Sequence, residues 1–461
     1  MLKEKWDMTE FLPTMYTGEE LKVRLSVLPA YHDGIRLKSR SERLVALNDI
    51  YSVYLPSVMS EEIYSKIYLA MLRSLQKKEG RLAVQQRNEN GKKIRDAEGL
   101  GYGYQGIIGG SDSFTIIGSS GIGKSSAISR AISLATENKV IEIEEPYCKI
   151  IPAVVVQCPF DCSVKGLLLQ ILRQVDMELD ARYYEMAVRS KATTDMLIGS
   201  VSQTALNHIG LLVVDEIQNI VSHKQGKSLV GMLTQLINNS GISICMVGTP
   251  EAELFFESVN YLARRALGLR YTKCEYNDYF REFCSMLFSY QYVGNKTDIS
   301  DSIIQWLYEH SAGVLAVVVS LIHDAQEIGI LNGKEELNME TLDLAYEQRM
   351  NMLHSHIQPS IVIKKSAVKK KKRNSAMEVV GDYMQKETEG TEAAQSAVSL
   401  DTMPKTEEED FALDDEVITH LADKGDCAEW SFMELAEEAK SRQCDMVELL
   451  KGKIIITEIA V

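Results

Sequence analysis

Over roughly the first 110 residues, apolar side chains return every three or four positions among charged ones, as in LVALNDIYSVYL and IYSKIYLAMLRSL. That spacing predicts amphipathic helices. Beyond residue 112 the pattern changes: short β-rich runs (FTII, AVVVQC, LLVVD, ISICMV) alternate with amphipathic stretches to about residue 270. The alternation predicts a parallel sheet with crossover helices, an α/β class. From 275 to 350 every signal is helical. Between 359 and 412 small, polar and charged residues follow without period, which predicts a flexible linker. The remainder regains a helix-like segment, WSFMELAEEAKSR, and ends apolar, KIIITEIAV. Five segments result: an N-terminal helical extension (1–110), an α/β core (111–272), a helical unit (273–358), a linker (359–412) and a tail (413–461).

Composition adds limits. With 461 residues, 45% of them apolar, the chain has room for two or three domains. No run approaches the ~20 apolar residues of a membrane span, the longest candidate being VLAVVVSLI at 314–322. The opening MLKEKWDMTEF lacks the apolar stretch of a signal peptide, and the eight cysteines, mostly in apolar surroundings, read as reduced thiols. CPFDC at 158–162 has neither a second pair nor a nearby histidine and reads as core thiols rather than a metal site. A cytoplasmic protein without membrane contact is expected. The net charge of −15 is uneven: from Asp401 to Val461 there are 17 acidic and 6 basic residues, whereas 364–373 is the basic run KKSAVKKKKR. An acidic tail behind a near-neutral body leaves room for local DNA contacts, which depend on patches rather than totals.

Candidate chemistry centres on TIIGSSGIGKSSAISR, residues 115–130. Gly118, Gly123, Lys124 and Ser125 fit G-x-x-x-x-G-K-[ST] between a strand and a helix, the context the motif needs. The whole loop, Gly118, Ser119, Ser120, Gly121, Ile122, Gly123, Lys124, Ser125 and Ser126, turns its amides around a phosphate at the positive end of a helix. Lys124 reaches the outer phosphates of ATP and Ser125 ligates Mg2+. GYGYQG at 101–106 also fits a glycine fingerprint, but no strand precedes it and no helix follows, so it reads as a loop. Downstream, LLVVDE ends in Asp215, which suits magnesium, and Glu216, which suits orienting or deprotonating the attacking water. Thr249, after ISICMV, is placed to sense the γ-phosphate or to serve as an ordinary turn residue. In YLARRALGLR, Arg264 and Arg265 read as an arginine finger for a neighbouring subunit or as solvated surface; about 100° apart on a helix, they do not serve one phosphate equally.

These motifs occur in the order of an AAA+ ATPase with a helical lid. GLLVVDEIQNI (210–220), VGTPEAELFF (247–256), LARRALG (262–268) and SAGVLAVVVSLIHDAQ (311–326) resemble TnsC, the AAA+ regulator of Tn-seven-type transposons, including CRISPR-associated ones. TniB and IstB are more distant relatives. The resemblance spans about 113–350, is thin before 100, and returns faintly in DMVELLKGKIIITEIA. It implies an AAA+ P-loop core with a small helical lid, ATP hydrolysis, and rings or filaments of the chain itself on double-stranded DNA without sequence preference. It further implies a bridge from a TnsD/TniQ-type selector to the transposase TnsB and endonuclease TnsA, with the partly disordered acidic tail binding the transposition machinery. It points to the loop AVRSKATTDM, whose Arg189, Lys191, Thr193 and Thr194 are candidates for DNA phosphate contacts or simply a solvated loop. One departure stands out: SAGVLAV has no arginine where many AAA+ lids place one, which implies slow turnover. A helicase loader or initiator-like ATPase, and a scaffold in which ATP is a structural staple, are the alternatives; Glu216 speaks against the staple.

Overall fold

The computed structural model describes residues 8–95, 108–109, 111–143, 148–224, 226–257, 268–354, 419–423 and 454–458. Helices α1 (Gly18–Leu25), α2 (Arg40–Leu47), α3 (Val58–Lys78) and α4 (Arg81–Arg95) precede the sheet. Then follow β1 (Ser113–Gly118), α5 (Lys124–Thr136), β2 (Ile141–Ile143), β3 (Cys148–Gln157), α6 (Val164–Leu179), α7 (Tyr183–Arg189) and α8 (Thr194–His208). Next come β4 (Ile209–Asp215), α9 (Asn219–Ser222), α10 (Gly226–Ser240), β5 (Ser243–Gly248), α11 (Glu251–Glu257) and β6 (Leu269–Tyr271). Four helices complete this body: α12 (Asp278–Ser289), α13 (Asp301–Ser311), α14 (Leu315–Asn332) and α15 (Met339–Arg349).

The strands order as β2-β3-β4-β5-β1-β6, with β3, β4, β5, β1 and β6 mutually parallel. The expected parallel sheet is present and gains one antiparallel edge strand, β2, paired to β3. Crossovers place every parallel strand's C-terminal end at one edge of the sheet, the edge where ligands bind in such folds. There Gly118 ends β1, Asp215 ends β4, and Gly248 ends β5 between them.

Both faces of the central strands β1, β4 and β5 are covered, which is why they read as unbroken apolar runs rather than as alternation. Val154, Leu212, Val214 and Ile244 pack toward the layer built from α6, α8 and α10. Phe114, Ile116, Leu211 and Val213 point the other way, against α3 and α5. The N-terminal helices therefore share cores with the rest of the body. Residues Leu47, Ile50 and Val53 instead join α12–α15 in a third cluster around Phe280, Leu287, Leu307 and Leu321.

Between these two attachments IYSVYL departs from its helical reading. Asn48–Ser52 forms a 3-10 turn, after which Tyr54 makes an antiparallel bridge to Val27. Pro56 keeps a helix from resuming at Leu55, because a proline disfavours helical backbone at the residue before it. Leu315–Asn332 is the one described helix long and apolar enough to cross a membrane. Its Val318, Leu321, Ile322 and Ala325 are fully buried in the helical cluster, a core role. In the second unit, Val368–Val461, the described residues form an antiparallel pair, β7 (Thr419–Asp423) with β8 (Ile454–Glu458). The basic run at 364–373, the GYGYQG loop and WSFMELAEEAKSR lie outside the described residues.

Candidate nucleotide-binding site

The loop after β1 is built as its sequence demands. Gly121 and Gly123 take left-handed backbone, at φ 77° and 96°, which glycine adopts without strain. The loop feeds the N-terminus of α5, whose first amides have no partner within the helix, an arrangement suited to receive an anion. Lys124 lies half-buried, and its Nζ donates to the carbonyls of Gly118 (2.6 Å) and Ser119 (2.9 Å), so the cation is held across the loop. Burial pushes its pKa down, and the carboxylates of Asp215, Glu216 and Glu251 act against that shift.

Ser125 Oγ donates to Asp215 Oδ2 at 3.5 Å. A hydroxyl and a carboxylate side by side form the hard-oxygen pair that Mg2+ takes, so the donor set fits the ion. Bound there, it would neutralise phosphate charge. Glu216 follows with φ 57°, a left-handed conformation unusual for a side chain of its size, and its backbone N–H bonds Asp215 Oδ1 at 2.8 Å. Its carboxylate accepts from Gln218 Nε2. Thr249 sits at the tip of β5, with its N–H donating to Gln218 Oε1 at 3.2 Å. Its side chain bonds the Glu251 carboxylate and thereby lowers the pKa of that acid.

These groups line one cleft of about 480 Å³, together with Ser120, Gly121, Ile122, Gly123 and Ser126 of the loop. The cleft also has an apolar lining that was not legible as a site in the sequence. Tyr51, Val53, Tyr54, Leu55 and Met59 form it together with Tyr279 and Phe283 of α12 and Leu315 and Val319 of α14, and Tyr279 OH donates to Leu55 O at 2.9 Å. A planar aromatic base fits such a slot beside a phosphate loop. The lid also touches the loop directly: Ala316 N–H donates to Gly121 O at 3.0 Å. A Cβ on Gly121 would lie 2.8 Å from Val314 Cγ1, so only glycine admits this approach. Backbone contact thus stands at the start of α14, where SAGVLAV offers no arginine.

Elsewhere, Arg189, Lys191, Thr193 and Thr194 are all exposed at the turn between α7 and α8, remote in sequence from the cleft motifs. Arg189 pairs with Glu185, Lys191 takes φ 50°, and Thr193 Oγ1 caps α8 by accepting from Met196 N–H at 3.3 Å. Arg264 and Arg265 lie outside the described residues. Cys158 and Cys162 are buried free thiols, as expected, and burial pushes Cys158 up to about 12. Among the described residues the one group of three or more metal-type ligands is His323, Asp324 and Glu327 on α14.

No curated protein sequence matches the chain. Among solved structures, ORC1 of Aeropyrum pernix in complex with DNA is similar at TM-score 0.37 and 13% identity, over 57% of this chain and 64% of that one. The chain thus spans just under two thirds of the length of that relative. A Walker-type ATPase of Pyrococcus abyssi is similar at TM-score 0.32 and 14% identity, over 59% of this chain and 75% of that one. Domain III of the Thermotoga maritima replication initiation protein DnaA gives TM-score 0.32 and 14% identity, over 59% of this chain and 91% of that one. Residues 110–272 match the family model described as "Bacterial TniB protein". That match supports the resemblance to the TnsC and TniB group that the motifs carry, over residues 110–272.

Proposed function

We propose that this chain is an ATP-hydrolysing transposition regulator that assembles on target duplex DNA. In this reading it connects a TnsD/TniQ-type target selector to the transposase TnsB and endonuclease TnsA, and hydrolysis dissolves the assembly. The observation that carries it is the convergence of Lys124, Ser125, Asp215, Glu216 and Thr249 on one cleft, in a core that matches the TniB family. Lys124 and the loop amides bind the phosphates, Ser125 and Asp215 hold Mg2+, and Glu216 takes a proton from the attacking water. Arg264 or Arg265 reaches the phosphates of a neighbouring copy. The exposed α7–α8 turn supplies Arg189, Lys191, Thr193 and Thr194 to the DNA backbone, a contact blind to sequence and sensitive to salt.

A staple that never turns over has no use for an acid at the position of Glu216, which favours hydrolysis over the scaffold reading. Lys124→Ala tests the switch: it is expected to abolish Mg·ATP binding and, with it, ATP-dependent assembly on DNA. Unchanged assembly by that variant contradicts the proposal.

A further inference from the structure

The exit of β4 reads Asp215-Glu216-Ile217-Gln218-Asn219, and its two amide side chains reach opposite ways. Asn219 Nδ2 donates to Cys158 O at 3.1 Å, just past the end of β3. Gln218 crosses to the other neighbour, its Oε1 accepting from Thr249 N–H at 3.2 Å beside the end of β5. Its Nε2 donates to Glu216 Oε2. Gly248 makes the crossing possible, since a Cβ there would lie 2.8 Å from Gln218 Oε1. Glu216 is exposed and sits on left-handed backbone at φ 57°. Among the described residues, Gln218 is the side chain that fixes its carboxylate.

A general base works when a third group orients it. We propose that Gln218 is the positioning residue for Glu216, which rests on the ATPase reading above. The amide takes one carboxylate oxygen and leaves Oε1 free for water. It also ties the acid to the tip of β5, so base and γ-phosphate side share one frame. In the step it serves, the water oxygen bonds to the γ-phosphorus, the bond from that phosphorus to the bridging oxygen breaks, and Glu216 accepts a water proton. ADP leaves with the electron pair of the broken bond.

The test uses the full chain with Mg·ATP, reading phosphate release and the dissociation constant of a fluorescent ATP analogue. Gln218→Met keeps the length of the side chain but has no amide. It is expected to lower kcat ~10–100-fold, the range seen when partners that orient an active group are removed, with the dissociation constant unchanged within about twofold. Gln218→Glu keeps an acceptor for Thr249 N–H and replaces the donor by a like charge; it is expected to lose as much kcat as Gln218→Met. In a Glu216→Gln background, Gln218→Met is expected to have no further effect, because the two residues act as a unit. A residue that merely packs would move binding in both backgrounds. Wild-type kcat in Gln218→Met or Gln218→Glu, with turnover lost in Glu216→Gln, overturns this inference alone. Turnover that survives Glu216→Gln overturns the assignment of the base, and no turnover in the wild type overturns the ATPase reading.

Discussion

A largely buried ion pair ties α2, just before the N-terminal lining of the cleft, to Glu335, and Arg43→Met tests what that pair is worth. Arg43, on α2, is 5% exposed and reaches Glu335 through two bonds, Nη1 to Oε2 at 2.6 Å and Nη2 to Oε1 at 2.8 Å. It also donates to Tyr292 O at 3.0 Å. Glu335 keeps 23% of its side chain exposed and accepts from Gly294 N–H at 2.9 Å. The partners agree in direction: the carboxylate raises the pKa of Arg43, and the guanidinium lowers that of Glu335. Removing one member of a fully buried pair costs about 3–5 kcal/mol. Water still reaches part of Glu335, so Arg43→Met should cost ~2–3 kcal/mol. The assay is urea unfolding followed by circular dichroism, with a parallel titration of Mg·ATP. Loss of the pair loosens one anchor of the segment that carries Tyr51 and Tyr54, so the dissociation constant for nucleotide should rise modestly as well. Arg43→Met/Glu335→Gln should recover most of the stability, since no charge is then stranded. Because the pKa of Glu335 is lowered by folding, the pair contributes fully above the ordinary carboxylate range and fades as pH falls through the folded value. Unchanged unfolding in Arg43→Met, or strictly additive losses in the double variant, would refute the reasoning.

Two further outcomes follow from other parts of the molecule. Lys191→Ala should weaken binding to any duplex and reduce the slope of log affinity against log salt by about 0.9; Arg189→Ala should do less, because Glu185 already pairs with that charge. His208 is 4% exposed, accepts from Tyr183 OH (2.8 Å) at Nε2 and donates to Lys149 O (2.7 Å) at Nδ1. Burial, with Lys78 and Arg87 nearby, pushes its pKa down to about 4 from 6.5. Stability should therefore be complete above about pH 6.5 and fall by ~3 kcal/mol as pH drops toward 4, since the unfolded chain binds the proton there. His208→Gln should flatten that slope in urea unfolding.

What was legible in the sequence was what lies close together along the chain. The phosphate loop needs only nine consecutive residues, and the acids of β4 are announced by the buried strand before them. The apolar lining of the cleft is different. Tyr51, Tyr54 and Met59 read as the apolar face of helices, and their role depends on packing against α12 and α14. The contacts that hold them there, such as Arg43 with Glu335, span 292 positions. Pairings of that separation leave no local pattern. Strands β2 (IEI) and β6 (LRY) were missed for another reason, since three residues carry too little period to register. Gln218 escaped notice because an amide two residues past an acid is an ordinary turn residue until the sheet brings β5 beside it.

In the proposed function, nucleotide bound in this cleft governs assembly of the chain on DNA. Electron microscopy of the wild-type protein with duplex DNA, comparing Mg·ATP, a non-hydrolysable analogue and ADP, tests it most directly. Rings or filaments on DNA with ATP and the analogue, and their loss with ADP, are predicted. Particles that stay monomeric and off the DNA at saturating Mg·ATP, or assemblies identical in all three nucleotides, would contradict it.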